Sequence, residues 1–147
     1  MSDYYIIKPE VAGQFGEKTK MDRSVHPPDV TKLHYEFHGW TGDALLTTVS
    51  HFIITEKLKN KIMSNDLSGY KIGDVVVTKS TQFEELYPDK ELPEFHWLQI
   101  VGEAGQDDFG MAENHRLVIS QDTLDILNTT SIEQADVEAF DNENKIN

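Results

Sequence analysis

The stretch FIITEKLKNKI (residues 52–62) joins a short apolar run to a polar segment in which Leu58 and Ile62 stand four residues apart. The apolar run is typical of a buried β-strand, and the four-residue spacing places both side chains on one face of a helix. Thr55 stands where the helix needs an N-cap, because its hydroxyl can accept a hydrogen bond from a free helix N–H group. A second apolar run opens at Asp74, so the stretch predicts a strand–helix–strand unit.

A similar stretch, LVISQDTLDIL (residues 117–127), occurs near the end of the sequence. Ser120 takes the capping position, Leu124 and Leu127 stand three residues apart, and a further strand is predicted from Asp136. The two units can be a degenerate duplication or two uses of a common local solution, and we favour the second interpretation.

Three other segments predict strands: residues 4–7, 33–38 and 95–101. The middle one alternates strictly, so Leu33, Tyr35 and Phe37 are expected to face the core and His34, Glu36 and His38 to form a polar outer face. Residues 95–101 are apolar enough to form a central strand.

The segments between these strands predict helices and loops. Residues 81–84 have the spacing of a capping box that opens at Thr81, and Pro88 ends the helix. Residues 43–46 are expected to start a helical turn capped by Asp43 or Thr41. Residues 11–31 show no period and predict a long loop.

These patterns together predict a single α+β domain over residues 1–140. We expect a mixed or mainly antiparallel sheet of about six strands, with three or four short helices. Residues 141–147 are expected to form an acidic, frayed C-terminal tail.

The composition indicates an acidic, soluble, cytoplasmic protein. The 147 residues carry a formal net charge of −13, with 26 acidic and 13 basic side chains. Such a charge repels nucleic-acid phosphate and anionic lipid and speeds encounter with a basic partner, although it can also serve solubility alone. The absence of cysteine fits a reducing compartment, and neither a signal peptide nor a membrane-spanning run of apolar residues is present.

His34, Glu36 and His38 are the first candidate for chemistry, because two imidazoles and a carboxylate can bind a divalent metal. Their spacing along a strand does not bring them together on one ion, so we favour the polar-face interpretation and expect no metal or cofactor. The remaining histidines show no spacing typical of a catalytic triad or a zinc helix, and His51 and His96 are expected to be hydrogen-bonded structural histidines.

Two loops are candidates for binding a partner. Glu103, Asp107, Asp108 and Glu113 form a concentrated acidic patch, expected in a tight glycine-containing loop between residues 101 and 117. Charge reversal at positions 107 and 108 is expected to slow association without affecting folding.

Trp40, which stands between two glycines, forms the second candidate loop together with Asp43. A tryptophan at such a turn can either fill the end of the core or anchor a partner, and we favour the core position.

The order of several motifs resembles that of a bacterial immunity-protein family of polymorphic-toxin systems, long catalogued as a domain of unknown function. The resemblance covers residues 4 to about 138. The matching motifs are Tyr4-Tyr5, Pro9-Glu10-Val11-Ala12-Gly13, His26-Pro27-Pro28, Leu33-His34-Tyr35-Glu36-Phe37, Gly39-Trp40, Asp43, Phe52-Ile53-Ile54-Thr55, Phe83-Glu84-Glu85-Leu86-Tyr87-Pro88, Asp107-Asp108-Phe109-Gly110 and Leu117-Val118-Ile119-Ser120. The family has Asp-Asp before its double leucine, where this chain has Asp43-Ala44.

The resemblance implies an α+β protein, not an enzyme, that neutralises a cognate protein toxin by stoichiometric occlusion. If that toxin is a nuclease with a basic cleft, acidic side chains could occupy its phosphate positions. The alternatives are a metal-dependent hydrolase built on His34, Glu36 and His38, and a regulatory or scaffold module with an unrelated partner. The sequence does not determine the oligomeric state.

Overall fold

A computed structural model describes residues 3–22, 24–25 and 29–140, which contain twelve strands and three helices. The strands are β1 (Tyr4–Lys8), β2 (Gly13–Phe15), β3 (Lys20–Asp22), β4 (Asp29–Phe37), β5 (Leu45–Thr48), β6 (His51–Thr55), β7 (Tyr70–Gly73), β8 (Val75–Lys79), β9 (Phe95–Ile100), β10 (Phe109–Met111), β11 (Leu117–Ser120) and β12 (Asp136–Ala139). The helices are α1 (Glu56–Met63), α2 (Thr81–Leu86) and α3 (Gln121–Leu127). The motif at 26–28 and the tail at 141–147 lie outside the described residues.

The predicted single α+β fold is confirmed, but the prediction of about six strands in one sheet is wrong. The described strands form three four-stranded sheets. The first sheet has the order β10-β11-β1-β12, the second has the order β5-β6-β9-β7, and the third joins β2, β3 and β8 to β4. Several of these strands have only three or four residues, which is too short for alternation to stand out in the sequence.

The first sheet is built on the predicted N-terminal strand. β1 is antiparallel to β11 on one side and to β12 on the other, with Ile6 opposite both Val118 and Glu138. The strand following each predicted strand–helix unit is also found, as β8 and β12. Both strands of the second strand–helix–strand unit, β11 and β12, therefore pair with β1.

The second sheet has apolar clusters on both faces. Phe52 and Ile54 of β6 pack into one cluster, and Ile53 packs into the other with Trp97. This two-sided burial explains the unbroken apolar run at 52–54, since neither face of the strand meets solvent. β9 lies between β6 and β7, which confirms its predicted central position.

The third sheet corrects the prediction of a long loop over residues 11–31. β2 and β3 both pair antiparallel with β4, which begins at Asp29 and is longer than predicted, and β8 pairs with β4 in parallel. Gly13 and Gly16 let β2 and the following turn approach β4 closely, because a Cβ at Gly13 would lie 1.9 Å from the Glu36 carbonyl oxygen.

Hydroxyl side chains cap the three helices. Thr55 and Ser120 accept hydrogen bonds from the backbone N–H groups of Leu58 and Thr123, which confirms both predicted caps. The predicted capping box at Thr81 is wrong by one residue, since Ser80 is the cap of α2. The helical turn predicted at 43–46 is also wrong, because residues 45–48 form β5.

Candidate functional site

An apolar groove of about 630 Å³ lies where the three sheets meet. Phe15 and Val30 line it from the third sheet, Val49 and Trp97 from the second, and Met111 from the first. A groove of this size can hold a small ligand or the side chains of a bound segment. We call this feature the apolar groove.

Ring side chains pack against one another along the apolar groove. The rings of Phe15 and His51 meet edge to face with centroids 5.5 Å apart, and those of His51 and Trp97 lie 6.2 Å apart. Nδ1 of His51 also lies 2.9 Å from the carbonyl oxygen of Val49, which is consistent with the expected structural role of this histidine. These contacts join the second and third sheets directly at the groove.

Backbone strain is concentrated at the apolar groove. Among the described residues, three other than glycine have positive φ, and Val49 (43°), Ser50 (62°) and His115 (61°) all line the groove. Val49 and Ser50 are the two-residue turn between β5 and β6, a position that strongly favours Asn-Gly. Residues kept in such conformations cluster at functional sites. Val49 is also 69% exposed, so packing within the chain does not explain its presence.

The charges at the apolar groove are acidic. The described lining residues include Asp29 but no lysine or arginine. Asp22 lies opposite Asp29 in the pairing of β3 with β4, and hydrogen bonds from Ser24 lower its pKa. The Asp22 carboxylate is therefore ionised at neutral pH. The chain as a whole carries a formal net charge of −13, so the groove lies on a strongly acidic protein.

The predicted acidic patch divides into structural and exposed members. The carboxylate of Asp107 accepts a hydrogen bond from the backbone N–H of Glu103 at 2.8 Å. Asp108 accepts hydrogen bonds from the backbone N–H of Ser68 at 2.9 Å and from the Ser120 hydroxyl at 2.6 Å.

These bonds contradict the expectation that charge reversal at positions 107 and 108 leaves folding intact, because both carboxylates hold backbone and cap groups in place. Glu103 and Glu113 are exposed. The loop between 101 and 117 also contains β10, so it is not the simple tight loop that was expected. A role for any of the four acids in binding stays a prediction.

Trp40 and Asp43 both stabilise the fold. Nε1 of Trp40 donates to the Asp43 carbonyl oxygen at 2.9 Å, and its ring packs against Phe95, which fits the favoured core position. Asp43 is 1% exposed, and its carboxylate accepts the backbone N–H groups of Glu133 and Gln134 at 3.0 and 2.8 Å. Asp43 therefore ties the turn before β5 to the segment before β12 and presents no surface to a partner in this structure.

The polar outer face predicted for His34, Glu36 and His38 is corrected at its first residue. His34 is 3% exposed, and its ring lies under Gly16, where a Cβ would come within 2.1 Å of Nδ1. Nδ1 accepts the backbone N–H of Lys18 at 3.1 Å, and Nε2 lies 2.7 Å from the Thr78 hydroxyl. Burial, with a smaller contribution from Lys18, lowers the pKa of His34.

Both ring nitrogens of His34 are thus engaged within the protein. Nε2 of His38 lies 3.2 Å from Glu36, at an angle that makes no hydrogen bond. The ligand atoms of His34, Glu36 and His38 do not gather around one point. Metal binding by these residues would first have to break the bonds of His34.

No protein-family model matches the chain, and no curated protein is significantly similar to it. The resemblance to immunity proteins therefore stays a prediction. In the part of the chain that the structure describes, no helix combines the length and the apolar character needed to cross a membrane.

Sequence reasoning missed the apolar groove. Two short apolar runs flank the two residues Val49 and Ser50, and this spacing indicates a β-hairpin beside the groove. The hairpin was hard to recognise because the usual Asn-Gly or Asp-Gly pair is absent. Phe15 and Met21 stood in the segment predicted to be a loop. Their part in the groove follows from the pairing of β2 and β3 with β4.

Proposed function

We propose that this protein binds a basic protein toxin in the cytoplasm and neutralises it by stoichiometric occlusion, with the apolar groove as the contact surface. The observation that carries the proposal is the concentration of strained, exposed residues on an apolar groove with an acidic edge. The motif order supports the toxin as partner class. The charge supports a basic protein over nucleic acid or an anionic membrane.

The groove has the features of a protein contact surface. Exposed Val49 projects beside the half-buried side chains of Met21 and Val30, and aromatic and methionine side chains are enriched in the buried centres of protein interfaces. Asp29 lines the groove and Asp22 lies opposite it in the neighbouring strand, and charges at such a position can steer encounter and fix register. A basic segment seated in the groove would meet both kinds of contact.

Co-expression tests the proposal at the level of the cell. The toxin domain encoded beside the gene is expected to lose its toxicity in the presence of this chain, and the two proteins are expected to elute together from a size-exclusion column. Continued toxicity with separate elution would contradict the proposed function.

Substitutions at matched exposed valines test the surface. Val49→Arg is expected to weaken the complex at least about tenfold, because it places a cation in an apolar contact next to a basic partner. Val11→Arg is the control, since Val11 is 67% exposed and does not line the groove. Equal effects of the two substitutions would exclude the groove as the contact surface.

The acidic patch is tested separately through its exposed members. A Glu103→Lys/Glu113→Lys double variant changes the charge without touching the hydrogen bonds of Asp107 and Asp108. If the groove is the contact surface, the double variant is expected to lower the association rate constant by a smaller factor than the factor by which Val49→Arg raises the dissociation rate constant. A larger effect of the double variant would indicate that the acidic patch, and not the groove, is the contact surface.

A further inference from the structure

Three side chains with metal-binding atoms converge at the junction of β6, α1 and β9. Glu56, Glu94 and His96 each offer one ligand atom, and these atoms all lie within 4.8 Å of one another. Nε2 of His96 is 3.8 Å from Oε1 of Glu56 and 4.0 Å from Oε1 of Glu94. Among the described residues, this is the one such group of three.

The backbone holds the three residues in a fixed relation. The pairing of β6 with β9 places Ile54 opposite His96, and the backbone N–H of Glu56 donates to the carbonyl oxygen of Glu94 at 2.9 Å. Glu56 is the first residue of α1, which Thr55 caps. The three side chains therefore start from a hydrogen-bonded framework, and binding need order only two glutamate side chains.

The buried imidazole of His96 distinguishes this group from a pair of exposed carboxylates. Its Nε2 atom is buried and has no hydrogen-bond partner, and the His96 side chain is 14% exposed. A buried polar atom without a partner is costly, and such atoms are uncommon in native structures. An oxygen of each neighbouring carboxylate lies within ion-pair distance of this nitrogen but beyond hydrogen-bond distance.

We propose that Glu56, Glu94 and His96 bind a divalent transition-metal ion, with Zn²⁺ as the best match. One imidazole and two carboxylates are ligands that Zn²⁺ accepts, and water would complete a four-coordinate site. The inference does not depend on the proposed binding of a toxin.

The distances fit a site that tightens on binding. Ligand atoms about 2.1 Å from a tetrahedral ion lie about 3.4 Å apart, so each glutamate oxygen must approach Nε2 by about half an ångström. Both glutamate side chains can make this movement, because Glu56 is 49% and Glu94 is 64% exposed. The ion would give the buried nitrogen a partner and join the start of α1 to the start of β9.

Titration calorimetry with ZnCl₂ on the chelator-treated full chain, without a polyhistidine tag, tests the site. The unsubstituted chain is expected to bind one Zn²⁺, and His96→Gln is expected to abolish that binding. Glu56→Gln and Glu94→Gln are each expected to weaken it at least about tenfold, since each removes an anionic ligand. The control is Glu85→Gln, which changes an exposed residue outside the group and is expected to leave the affinity unchanged.

Thermal unfolding gives a second measurement, because an ion that binds the folded chain raises its midpoint. Zn²⁺ is expected to raise the midpoint of the unsubstituted chain and of Glu85→Gln, but not that of His96→Gln. Circular dichroism of Glu94→Gln, which changes a largely exposed side chain, shows whether a loss of binding reflects unfolding. Absence of Zn²⁺ binding by the unsubstituted chain, or equal binding by folded His96→Gln, would overturn the proposal.

Discussion

The turn between β5 and β6 makes a quantitative prediction about stability. Val49 and Ser50 have φ values of 43° and 62°, and the left-handed conformation costs an ordinary L-residue roughly 1–2 kcal/mol. Asparagine tolerates this conformation far better than a β-branched residue. Since Val49 is 69% exposed, Val49→Asn loses little buried apolar area. We expect it to raise the free energy of unfolding by about 1 kcal/mol.

Urea unfolding followed by tryptophan fluorescence measures this change, because the buried ring of Trp97 lies in the same groove. For a chain of this length, the expected gain corresponds to a rise of roughly 2–4 °C in the thermal midpoint. Val11→Asn is the control, since Val11 is 67% exposed and has no positive φ. It is expected to change the free energy by less than about 0.5 kcal/mol.

A Val49→Asn variant that is no more stable than Val11→Asn would refute this prediction, because relief of backbone strain is what separates the two substitutions. If the groove binds the toxin, Val49→Asn should also weaken the complex while it stabilises the free chain. Opposite effects on stability and binding are typical of strain kept at a functional site.

Substitutions at Asp43, His34, Ser120 and Ser80 test further polar contacts of the fold. Asp43→Ala should lower the free energy of unfolding measured in urea by about 3 kcal/mol, because two backbone N–H groups lose a charged acceptor. Asp43→Asn keeps one neutral acceptor oxygen and should lower it less, so equal losses for the two variants would contradict the prediction. Burial lowers the pKa of His34 in the fold, so the unfolded chain takes up a proton first as the pH falls through about 6.5, and stability should fall with the pH from that value downward. His34→Gln should reduce this slope in urea titrations at a series of pH values, and an unchanged slope would count against the lowered pKa. Ser120→Ala should lower the free energy of unfolding by about 2 kcal/mol and Ser80→Ala by about 1 kcal/mol, because Ser120 caps α3 and also donates to Asp108, whereas Ser80 caps α2. Equal losses in thermal melts would show that the hydrogen bond to Asp108 adds no stability.

The elements that could be predicted are those with a strong local signal. β1, β9, β11 and the three helices follow from apolar runs and helical spacing, and two hydroxyl caps were found at the expected residue. β2 and β3 could not be predicted, because three residues show no period and their pairing partner, β4, lies elsewhere in the sequence. β5 was mistaken for a helical turn since Asp43 has the chemistry of a cap, although it caps a distant segment instead.

The sites depend still more on long-range pairing. Glu94 and His96 stand two apart, a spacing visible in the sequence, but Glu56 joins them only because β6 pairs with β9. His34 could not be recognised as buried, since the segment that covers it contains Gly16 and gives no strand signal. His96 was expected to be hydrogen-bonded, yet its Nε2 has no hydrogen-bond partner.

The position of β1 between β11 and β12 has a consequence for synthesis on the ribosome. Both neighbours of this apolar strand are made more than a hundred residues after it, which takes roughly 5–20 s at usual elongation rates. During that time a nascent chain carries Tyr4-Tyr5-Ile6-Ile7 without the strands that cover its edges. The first sheet can therefore close only after residue 139 has been made, and until then at least one edge of β1 stays without its partner strand.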